Sequence, residues 1–329
     1  MRNSKKIVRV IVSIAVVIAV IVLLDFLLYP CTFVRNNIHT MTTEEKDVLI
    51  FGTSHGMSNI DPTCLLLDTD LTGQNMCVGG EYPVDAYYMT KLALEKQDPK
   101  IIIYEVDYGY FTTEKERGNN YLLFYHEFPT SMSKLQYFAA TLLDSDIRFP
   151  MFSFHEYSLS TVFKRIPDTV YQKWNKNYDV SYLKSSSQEY HENGFIEKYP
   201  VDEADFPKRS NSDFTAEDIR ETNMEYLSKL IDLCNENGIT FIAVSTPMPD
   251  ATLQSDPDSA AAASAYFAEF FANEGVPYYD FDSEYYSVYN HNTENYVDYD
   301  GHMNGDSARV FSVLLGQTIG MQELAAEVK

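Results

Sequence analysis

Residues 47–56, DVLIFGTSHG, carry the most information about the fold of this chain. The first five of these residues are mainly apolar, and Gly52, Thr53 and Ser54 follow them directly. A short apolar run that ends in small and polar residues is typical of a buried strand followed by a tight turn. In a parallel sheet, ligands bind at the carboxyl ends of the strands. The stretch therefore predicts a first strand with a reactive hydroxyl, that of Ser54, at its carboxyl end.

Strand-like and helix-like stretches alternate after this block. The further predicted strands are residues 74–78, 101–106, 239–244 and 276–281, and the predicted helices are residues 84–97, 214–236, 258–272 and 305–327. Such alternation is typical of a parallel sheet that is covered by helices on both faces. We therefore predict an α/β fold with a mostly parallel sheet.

An apolar run near the N-terminus predicts a membrane anchor. Residues 7–24 are apolar apart from Arg9 and Ser13, and the run continues past Asp25 to Leu28. This length reaches the roughly 20 residues that span a bilayer, and no small-residue cleavage site follows, as a signal peptide would need. Basic residues precede the run, so the positive-inside rule places the N-terminus in the cytoplasm. We predict a single-pass protein of the cell membrane whose domain is extracellular.

Three segments make up the predicted organisation. Residues 1–29 are the cytoplasmic tip and the transmembrane anchor, residues 30–46 are a polar stalk, and residues 47–329 are the α/β domain. Residues 112–212 break the alternation of strands and helices and contain the only tryptophan, Trp174. We interpret this stretch as a partly helical insert, which is either a lid or docking surface or an irregular segment that only packs against the domain.

Composition and charge narrow the classes of partner. The chain has 329 residues, 45% of them hydrophobic, which is typical of a globular protein. Its net charge is −23, and the first 30 residues carry four basic side chains and one acidic side chain, so the remainder carries −26. No Lys/Arg cluster marks a basic patch outside the N-terminus. A domain so acidic repels polyanions, and nucleic acid is not an expected partner.

Neither a metal nor a cofactor is expected. The four cysteines match no zinc or redox spacing, and they are Cys31, Cys64, Cys77 and Cys234. The sequence contains no P-loop and no dinucleotide-binding fingerprint. Buried free thiols are the simplest interpretation of the cysteines.

A second polar block lies just before the last predicted helix. It reads Asp298-Tyr299-Asp300-Gly301-His302-Met303-Asn304. An acid close to the histidine can hold the imidazole in the correct tautomer while the imidazole deprotonates Ser54. Taken alone, an Asp-rich turn with one histidine is usually a solvated loop. Residues 52–56 also match the G-x-S-x-G elbow of α/β-hydrolases, but in that fold several strands precede the serine.

The pairing of Ser54 with this block resembles the SGNH (GDSL-like) hydrolase superfamily, in which the serine follows the first strand and Asp and His precede the last helix. The resemblance covers roughly residues 47–107 and 238–318. Within the superfamily, the chain is most similar to the membrane-anchored cell-envelope branch, which includes DltD-like teichoic-acid D-alanylation proteins and polysaccharide O-acetylation proteins. The similar features are the anchor, the 47–56 block, Asn75 with Gly79, Pro99-Lys100 before a strand, and His302-Met303-Asn304 before Gly305.

This resemblance implies a three-layer, flavodoxin-like domain with a serine site. Ser54 would be the nucleophile and His302 the base, with the backbone N–H groups of Ser54 and Gly79 forming the oxyanion hole. His55, Asp107 and Asn304 are candidate substrate-binding residues. For His55 and Asp107 the simpler alternatives are a local cap and a solvated strand end.

Two positions depart from the superfamily pattern. The acid usually stands three residues before the histidine, but Tyr299 occupies that position, so the acid is Asp300 or Asp298, with Asp300 preferred. The superfamily also has an oxyanion asparagine after the third strand, and residues 105–109 contain none. Loss of one oxyanion donor can cost about 3 kcal/mol of transition-state stabilisation. The departures fit a slow, specialised or inactive enzyme.

The resemblance implies an extracytoplasmic serine-dependent acyl-ester enzyme, an acyltransferase or esterase that acts on a cell-envelope glycan. Its expected partners are the membrane, a cell-surface glycan and a membrane-bound O-acyltransferase as acyl source. The acidic domain favours a neutral glycan over an anionic teichoic acid. The alternative is a non-catalytic SGNH-fold envelope protein that binds glycan or a membrane partner.

Overall fold

The computed structural model describes residues 2–115, 124–142, 159–208 and 214–328. The chain divides into two compact units. We call Met1–Asn36 with Arg117–Asp179 the anchor unit, and Asn37–Glu116 with Val180–Lys329 the sheet unit.

Helices and strands alternate through much of the described chain. The helices are α1 (Arg2–Leu28), α2 (Phe33–Thr43), α3 (Ser54–Asn59), α4 (Pro62–Leu65), α5 (Pro83–Leu94), α6 (Gly109–Thr112), α7 (Met132–Thr141), α8 (Leu159–Asn175), α9 (Glu221–Glu236), α10 (Asp250–Ser255), α11 (Pro257–Glu274), α12 (Gly305–Thr318) and α13 (Met321–Glu327). The strands are β1 (Val48–Phe51), β2 (Gly73–Asn75), β3 (Ile101–Glu105), β4 (Gln188–Tyr190), β5 (Ile196–Lys198), β6 (Thr240–Ser245) and β7 (Tyr278–Asp280). Short 3-10 helices lie at Ser181–Leu183, Glu203–Asp205, Ala216–Asp218, Tyr286–Val288 and Thr293–Asn295.

Helix α1 carries the apolar run of the anchor unit. Its segment Lys5–Leu28 has 24 residues with a mean hydropathy of 3.2, and none of its apolar window is buried. A helix of this length and composition can cross a bilayer. Among the described residues it is the one helix that meets this standard. The prediction of such a helix is confirmed, while its retention as an anchor and its orientation stay predictions.

The sheet unit contains a five-stranded sheet in the order β2-β1-β3-β6-β7. Every neighbouring pair in it is parallel, and Ile50 of β1 pairs with Asn75 of β2 and Ile103 of β3. Strands β4 and β5 form a separate antiparallel hairpin. The predicted α/β class with a mostly parallel sheet is confirmed.

Two of the inner strands, β1 and β3, are buried along their whole length. No residue of either strand is more than 2% exposed. Strands covered on both faces are apolar throughout, because neither face meets water. Phe311 of α12 packs edge-on against Phe281 with 4.9 Å between ring centroids, in one cluster with Ile50 and Ile103. Helix α12, which begins just after His302, is thereby packed on the core around β1 and β3.

Several element boundaries differ from the prediction for local reasons. The predicted helix at residues 305–327 is two helices, because Gly320 adopts a left-handed backbone with φ +68° between them. The predicted helix at residues 214–236 begins at Glu221, after the 3-10 turn Ala216–Asp218. The predicted strand at residues 74–78 ends at Asn75.

The predicted stalk and insert also look different in the structure. Residues 30–46 were predicted to be a polar stalk, but α2 lies within them and buries Val34, Ile38 and Met41 along one side. The predicted insert at residues 112–212 does not form one body, since Arg117–Asp179 belongs to the anchor unit and the remainder to the sheet unit. Its described residues contribute no strand to the five-stranded sheet.

Candidate active site

Ser54 lies at the point where the strand order of the sheet reverses. It is the first residue of α3 and follows the carboxyl end of β1, which lies between β2 and β3. The chain passes from β1 to β2 on one side of the sheet and then to β3 on the other. In open parallel sheets, ligands bind in the crevice outside the carboxyl ends of the strands at such a switch point. Glu105, the last residue of β3, ends at the same crevice.

The turn that presents Ser54 requires glycine at position 52. Gly52 has φ +145°, and a Cβ there would lie 2.6 Å from the Cβ of Glu105. The Glu105 carboxylate then accepts hydrogen bonds from the backbone N–H and the hydroxyl of Thr53, at 2.8 and 3.0 Å. Glu105 therefore fixes the turn that immediately precedes Ser54. The glycine belongs to this close approach between β1 and β3, not to an α/β-hydrolase elbow.

The structure brings Ser54, His302 and Asp298 together. Nε2 of His302 lies 2.8 Å from Ser54 Oγ, although the two residues are 248 positions apart in the sequence. Nδ1 of the same ring lies 2.7 Å from Oδ2 of Asp298. A hydroxyl, an imidazole and a carboxylate in this order form the arrangement of a serine nucleophile, its base and the group that orients the base.

The carboxylate that contacts the His302 ring is that of Asp298, the alternative to the preferred Asp300. Oδ1 of Asp298 accepts the backbone N–H groups of Asp300 and His302, at 3.1 and 3.2 Å, so this carboxylate organises the whole turn. Gly301, with φ +98°, reverses the chain inside the turn. The reversal brings His302 back over Asp298, while Asp300 lies on the wall of the neighbouring cavity.

The surroundings of His302 favour its neutral form. Burial lowers the pKa of His302 below its ordinary value, Asp298 opposes this shift, and the nearby His55 adds to it. Burial acts to raise the pKa of Asp298, but its hydrogen bond and charge interaction with His302 outweigh burial and lower it. At neutral pH the pair is therefore an anionic carboxylate and a neutral imidazole. A neutral imidazole whose free nitrogen faces a hydroxyl is suited to accept its proton.

Asn59 holds the histidine loop against the serine helix, and the sequence did not single it out. It is the fully buried last residue of α3. Its Nδ2 donates to the carbonyl of Gly301 at 2.9 Å, and its Oδ1 accepts the N–H of Met303 at 2.9 Å. These bonds bracket His302 on both sides along the backbone.

A cavity of about 290 Å³ opens beside Ser54 and His302. All of its described lining residues belong to the sheet unit. Its wall is rich in carboxylates and aromatic rings, namely Glu105, Asp107, Asp280, Asp282 and Asp300 with Tyr108, Tyr110, Phe267 and Tyr278. The volume is near the lower end of small-molecule sites, so the cavity suits a small acyl group or part of a larger substrate.

His55 is a cationic group in this acidic cavity. Its Nδ1 lies 3.3 Å from Oδ2 of Asp107 and 3.7 Å from Oε1 of Glu105. Burial would lower the pKa of His55, but the two carboxylates outweigh burial and raise it to about 10. The ring of His55 lies 4.9 Å from that of His302, between centroids. His55 and Asp107 both line the cavity, so their prediction as substrate-binding residues remains open.

The other predicted site residues divide into two groups. Gly79 lies beside the nucleophile, since a Cβ on it would be 3.6 Å from the Cβ of Ser54. Asn304 does not line the cavity. It is 5% exposed and caps α12, with its side chain accepting the N–H of Ser307 and donating to the carbonyl of Glu294. Both ends of its amide are used in the cap, which gives Asn304 a structural role, and its substrate-binding role stays a prediction.

Asn75, one of the residues that carry the family resemblance, has a structural role. Its Nδ2 donates to the carbonyls of Gly56 and Ile60, and its Oδ1 accepts the N–H of Cys77. It therefore ties the end of β2 to helix α3. Within the described part of the chain, no group of three His, Cys, Asp or Glu side chains is arranged to hold a metal ion.

Comparison with known proteins adds no name to this arrangement. No protein-family model matches the chain, and no curated protein matches it either.

Proposed function

We propose that this protein is a membrane-anchored, extracytoplasmic serine enzyme of acyl-ester chemistry that acts on a cell-envelope glycan. The observation that carries the proposal is the chain of contacts from Ser54 Oγ to His302 Nε2 at 2.8 Å and from His302 Nδ1 to Asp298 at 2.7 Å. The strand order β2-β1-β3-β6-β7, which matches that of flavodoxin-like sheets, supports the SGNH-like fold behind the proposal.

The reaction begins with attack of Ser54 Oγ on the acyl carbonyl carbon of an ester. His302 Nε2 takes the hydroxyl proton as the new carbon–oxygen bond forms, and Asp298 stabilises the resulting imidazolium. The carbonyl oxygen becomes an anion in the tetrahedral intermediate, which the backbone N–H groups of Ser54 and Gly79 would bind. Collapse of the intermediate breaks the ester bond, and the leaving alcohol takes the proton from His302.

The second half releases the acyl group from Ser54. A hydroxyl of the acceptor, or water, gives its proton to His302 and attacks the acyl-serine carbonyl, and Ser54 leaves with that proton returned to it. An acceptor sugar gives transfer, and water gives hydrolysis. The family resemblance favours transfer, with a membrane-bound O-acyltransferase as the acyl source.

The cavity wall supports a neutral glycan as the acceptor. Carboxylates accept hydrogen bonds from sugar hydroxyls, and aromatic rings such as Tyr108 and Tyr110 offer flat apolar surfaces to sugar rings. The same carboxylates disfavour a phosphate-rich acceptor, because like charges repel strongly in a partly buried site.

A non-catalytic glycan-binding protein is the second candidate, for one specific reason. β3 ends at Glu105 and Asp107 follows it, with no asparagine where the superfamily places an oxyanion donor. A carboxylate cannot donate a hydrogen bond to an oxyanion unless it is protonated.

Labelling with a fluorophosphonate probe tests the proposal directly. The full-length protein in detergent should react at Ser54, and Ser54→Ala should lose the label and at least about 10³-fold in hydrolysis of a soluble acetyl ester. Ser187→Ala, a change at an exposed serine just before β4, should keep both. A wild-type protein that neither reacts with the probe nor cleaves esters, yet binds glycan, would leave the second candidate in place.

The anchor needs its own test. A reporter fused after Lys329 should be active outside the cytoplasm, and the protein should stay in the membrane fraction after a carbonate wash. Finding the sheet unit free in the medium would show instead that the apolar run is a cleaved signal.

A further inference from the structure

Helix α8 of the anchor unit exposes a continuous aromatic stripe. Phe163, Tyr171 and Trp174 are 59%, 63% and 79% exposed, and Pro167 between them is exposed as well. At 100° per residue these four positions fall within roughly 80° of the helix circumference and extend for about 16 Å along it. We call them the α8 aromatic face. Exposed apolar rings in such a row mark an interaction surface, because single exposed residues would be scattered.

The opposite side of α8 is packed within the anchor unit. Val162 and Thr169 are buried there. Lys173 donates to the last carbonyls of the apolar helix α1, those of Asp25 and Phe26, at 2.9 and 3.0 Å. The C-terminal end of α8 is thereby fixed at the end of α1.

The partly covered residues of α1 show where along this helix α8 packs. Its residues from Lys5 to Val20 are exposed, whereas Ile21 and the residues Leu24–Leu28 are partly covered. Helix α8 packs against α1. If α1 spans a bilayer, its last two turns lie where the hydrocarbon meets the headgroups. Trp and Tyr side chains concentrate at that level, since one end of each ring system is apolar and the other is polar.

Helix α8 and the residue that follows it carry a net charge opposite in sign to that of the whole chain. Residues 159–176 carry Lys164, Arg165, Lys173 and Lys176 against Asp168, a net charge of +3, whereas the chain carries −23. Lys164 and Lys176 are exposed. A helix with basic residues beside an aromatic stripe is typical of helices that lie in the interface of an anionic membrane. The basic cluster was missed in the sequence because its residues are spaced along a helix.

A second exposed apolar pair lies in the same unit. Met132 and Leu135 of α7 are 65% and 64% exposed and fall on one side of that helix. The anchor unit therefore offers apolar surface from two helices besides α1.

We propose that the α8 aromatic face inserts into the lipid interface of the membrane that α1 spans, with the exposed Lys164 and Lys176 on anionic headgroups. The bilayer is the occupant favoured over a membrane protein, because the face combines rings at the end of a bilayer-long helix with positive charge. This inference rests on the proposed anchor, and not on the proposed chemistry at Ser54.

The single tryptophan makes the test direct. The full-length protein is reconstituted into vesicles of phosphatidylcholine with a minor fraction of phosphatidylglycerol, and carbonate washing confirms that it stays with the vesicles. Emission from Trp174 should shift to the blue on reconstitution and be quenched by acyl-brominated phosphatidylcholine, while iodide in the buffer should quench it weakly. The double variant Phe163→Glu, Tyr171→Glu should weaken bromolipid quenching and restore quenching by iodide.

A matched control and two contrary outcomes complete the design. Leu67→Glu changes an apolar side chain that is 54% exposed in the sheet unit, and it should leave the Trp174 signal unchanged. Vesicle-retained protein whose Trp174 is quenched by iodide and not by bromolipid would overturn the lipid contact alone. In that case, protection of Trp174 in native membranes would assign the face to a protein partner. Release of the protein by carbonate would overturn the anchor and this inference together.

Discussion

The cavity beside Ser54 and the α8 aromatic face differ in charge, in burial and in the way the sequence encodes them. The cavity is lined by five carboxylates, and its lining side chains come from distant parts of the chain. The α8 aromatic face is exposed and lies in a segment of net positive charge, and it is built from one helix of 17 residues. The cavity geometry depends on hydrogen bonds between elements, whereas the α8 face depends only on helical periodicity. Substitutions should therefore act on the two regions in different ways.

The largest expected effect within the cavity is a difference in kcat between substitutions of Asp298 and of Asp300. Asp298→Asn should lower kcat by about 10³- to 10⁴-fold, because the amide no longer fixes the tautomer of His302 or stabilises its charged form. Asp300→Asn should lower it less than about tenfold, since its carboxylate lies on the cavity wall. Both are measured with a soluble acetyl ester. The reverse order of the two losses would return the acid's role to Asp300.

The two aspartates also show what the sequence could and could not reveal. Ser54 and His302 were predicted because each stands in a short motif beside a predicted element. The choice between Asp298 and Asp300 depends on one backbone reversal at Gly301, with φ +98°, which no spacing rule fixed. Asn59 escaped notice because its partners, Gly301 and Met303, lie more than 240 positions away in the chain.

In the fold too, features encoded by neighbouring residues were predicted, whereas features that depend on contacts distant in sequence were not. The apolar strands β1 and β3 were predicted almost to the residue, because strands buried on both faces leave a continuous apolar signal. The grouping of Arg117–Asp179 with the N-terminal helix was not predicted, since it depends on contacts between segments far apart in sequence. The sequence therefore predicts α8 only as part of one long insert, and the helical spacing of its basic and aromatic residues leaves no contiguous signal.

Asn59 gives the next largest effect and tests the role of hydrogen bonds between elements. Asn59→Ala should lower kcat by about 10- to 100-fold with little change in KM, because His302 loses the bonds that hold its loop at the distance proton transfer needs. It should also lower stability by a few kcal/mol, since the buried carbonyl of Gly301 and N–H of Met303 lose their partner. Kinetics well below the melting temperature separate the two effects.

Asn193 supplies the matched control for Asn59. Its amide also joins distant elements, donating to Asp61 at 2.9 Å and to Thr63 at 3.0 Å, and it does not line the cavity. Asn193→Ala should lower the melting temperature while leaving kcat near the wild-type value. Equal losses of kcat in the two variants would mean that Asn59 acts through general stability and does not position His302.

Replacing His55 should change the pH dependence of kcat/KM more than the maximal rate. Its positive charge lowers the pKa of His302, so His55→Gln should raise that pKa and move the acid limb of kcat/KM to higher pH. The maximal rate should remain within about tenfold of wild type. His191→Gln, at a half-exposed histidine outside the cavity, should leave the limb in place. An acid limb that stays fixed or moves to lower pH in His55→Gln would contradict the charge coupling.

The same charge pattern has a consequence for stability. The pKa of His55 is raised to about 10 in the folded protein, above its ordinary value of 6.5. The folded state therefore holds this proton more tightly than the unfolded chain, and the stabilisation is complete below pH 6.5 and lost as the pH rises towards 10. Denaturant midpoints should fall across that window in the wild type. The fall should be smaller in His55→Gln, which has no such proton to lose.

The smallest expected effect on catalysis comes from substitutions in the α8 aromatic face. Phe163→Glu with Tyr171→Glu should change kcat/KM for a soluble ester by less than about twofold, because neither residue lines the cavity and charge is introduced only at exposed positions. The same variant should weaken bromolipid quenching of Trp174, since its rings would no longer enter the interface. Ser54→Ala gives the reverse pattern, with no esterase activity and normal bromolipid quenching of Trp174. A large loss of soluble-ester activity in the α8 variant would show that the two regions are coupled, and the division between a chemical surface and a membrane surface would then fail.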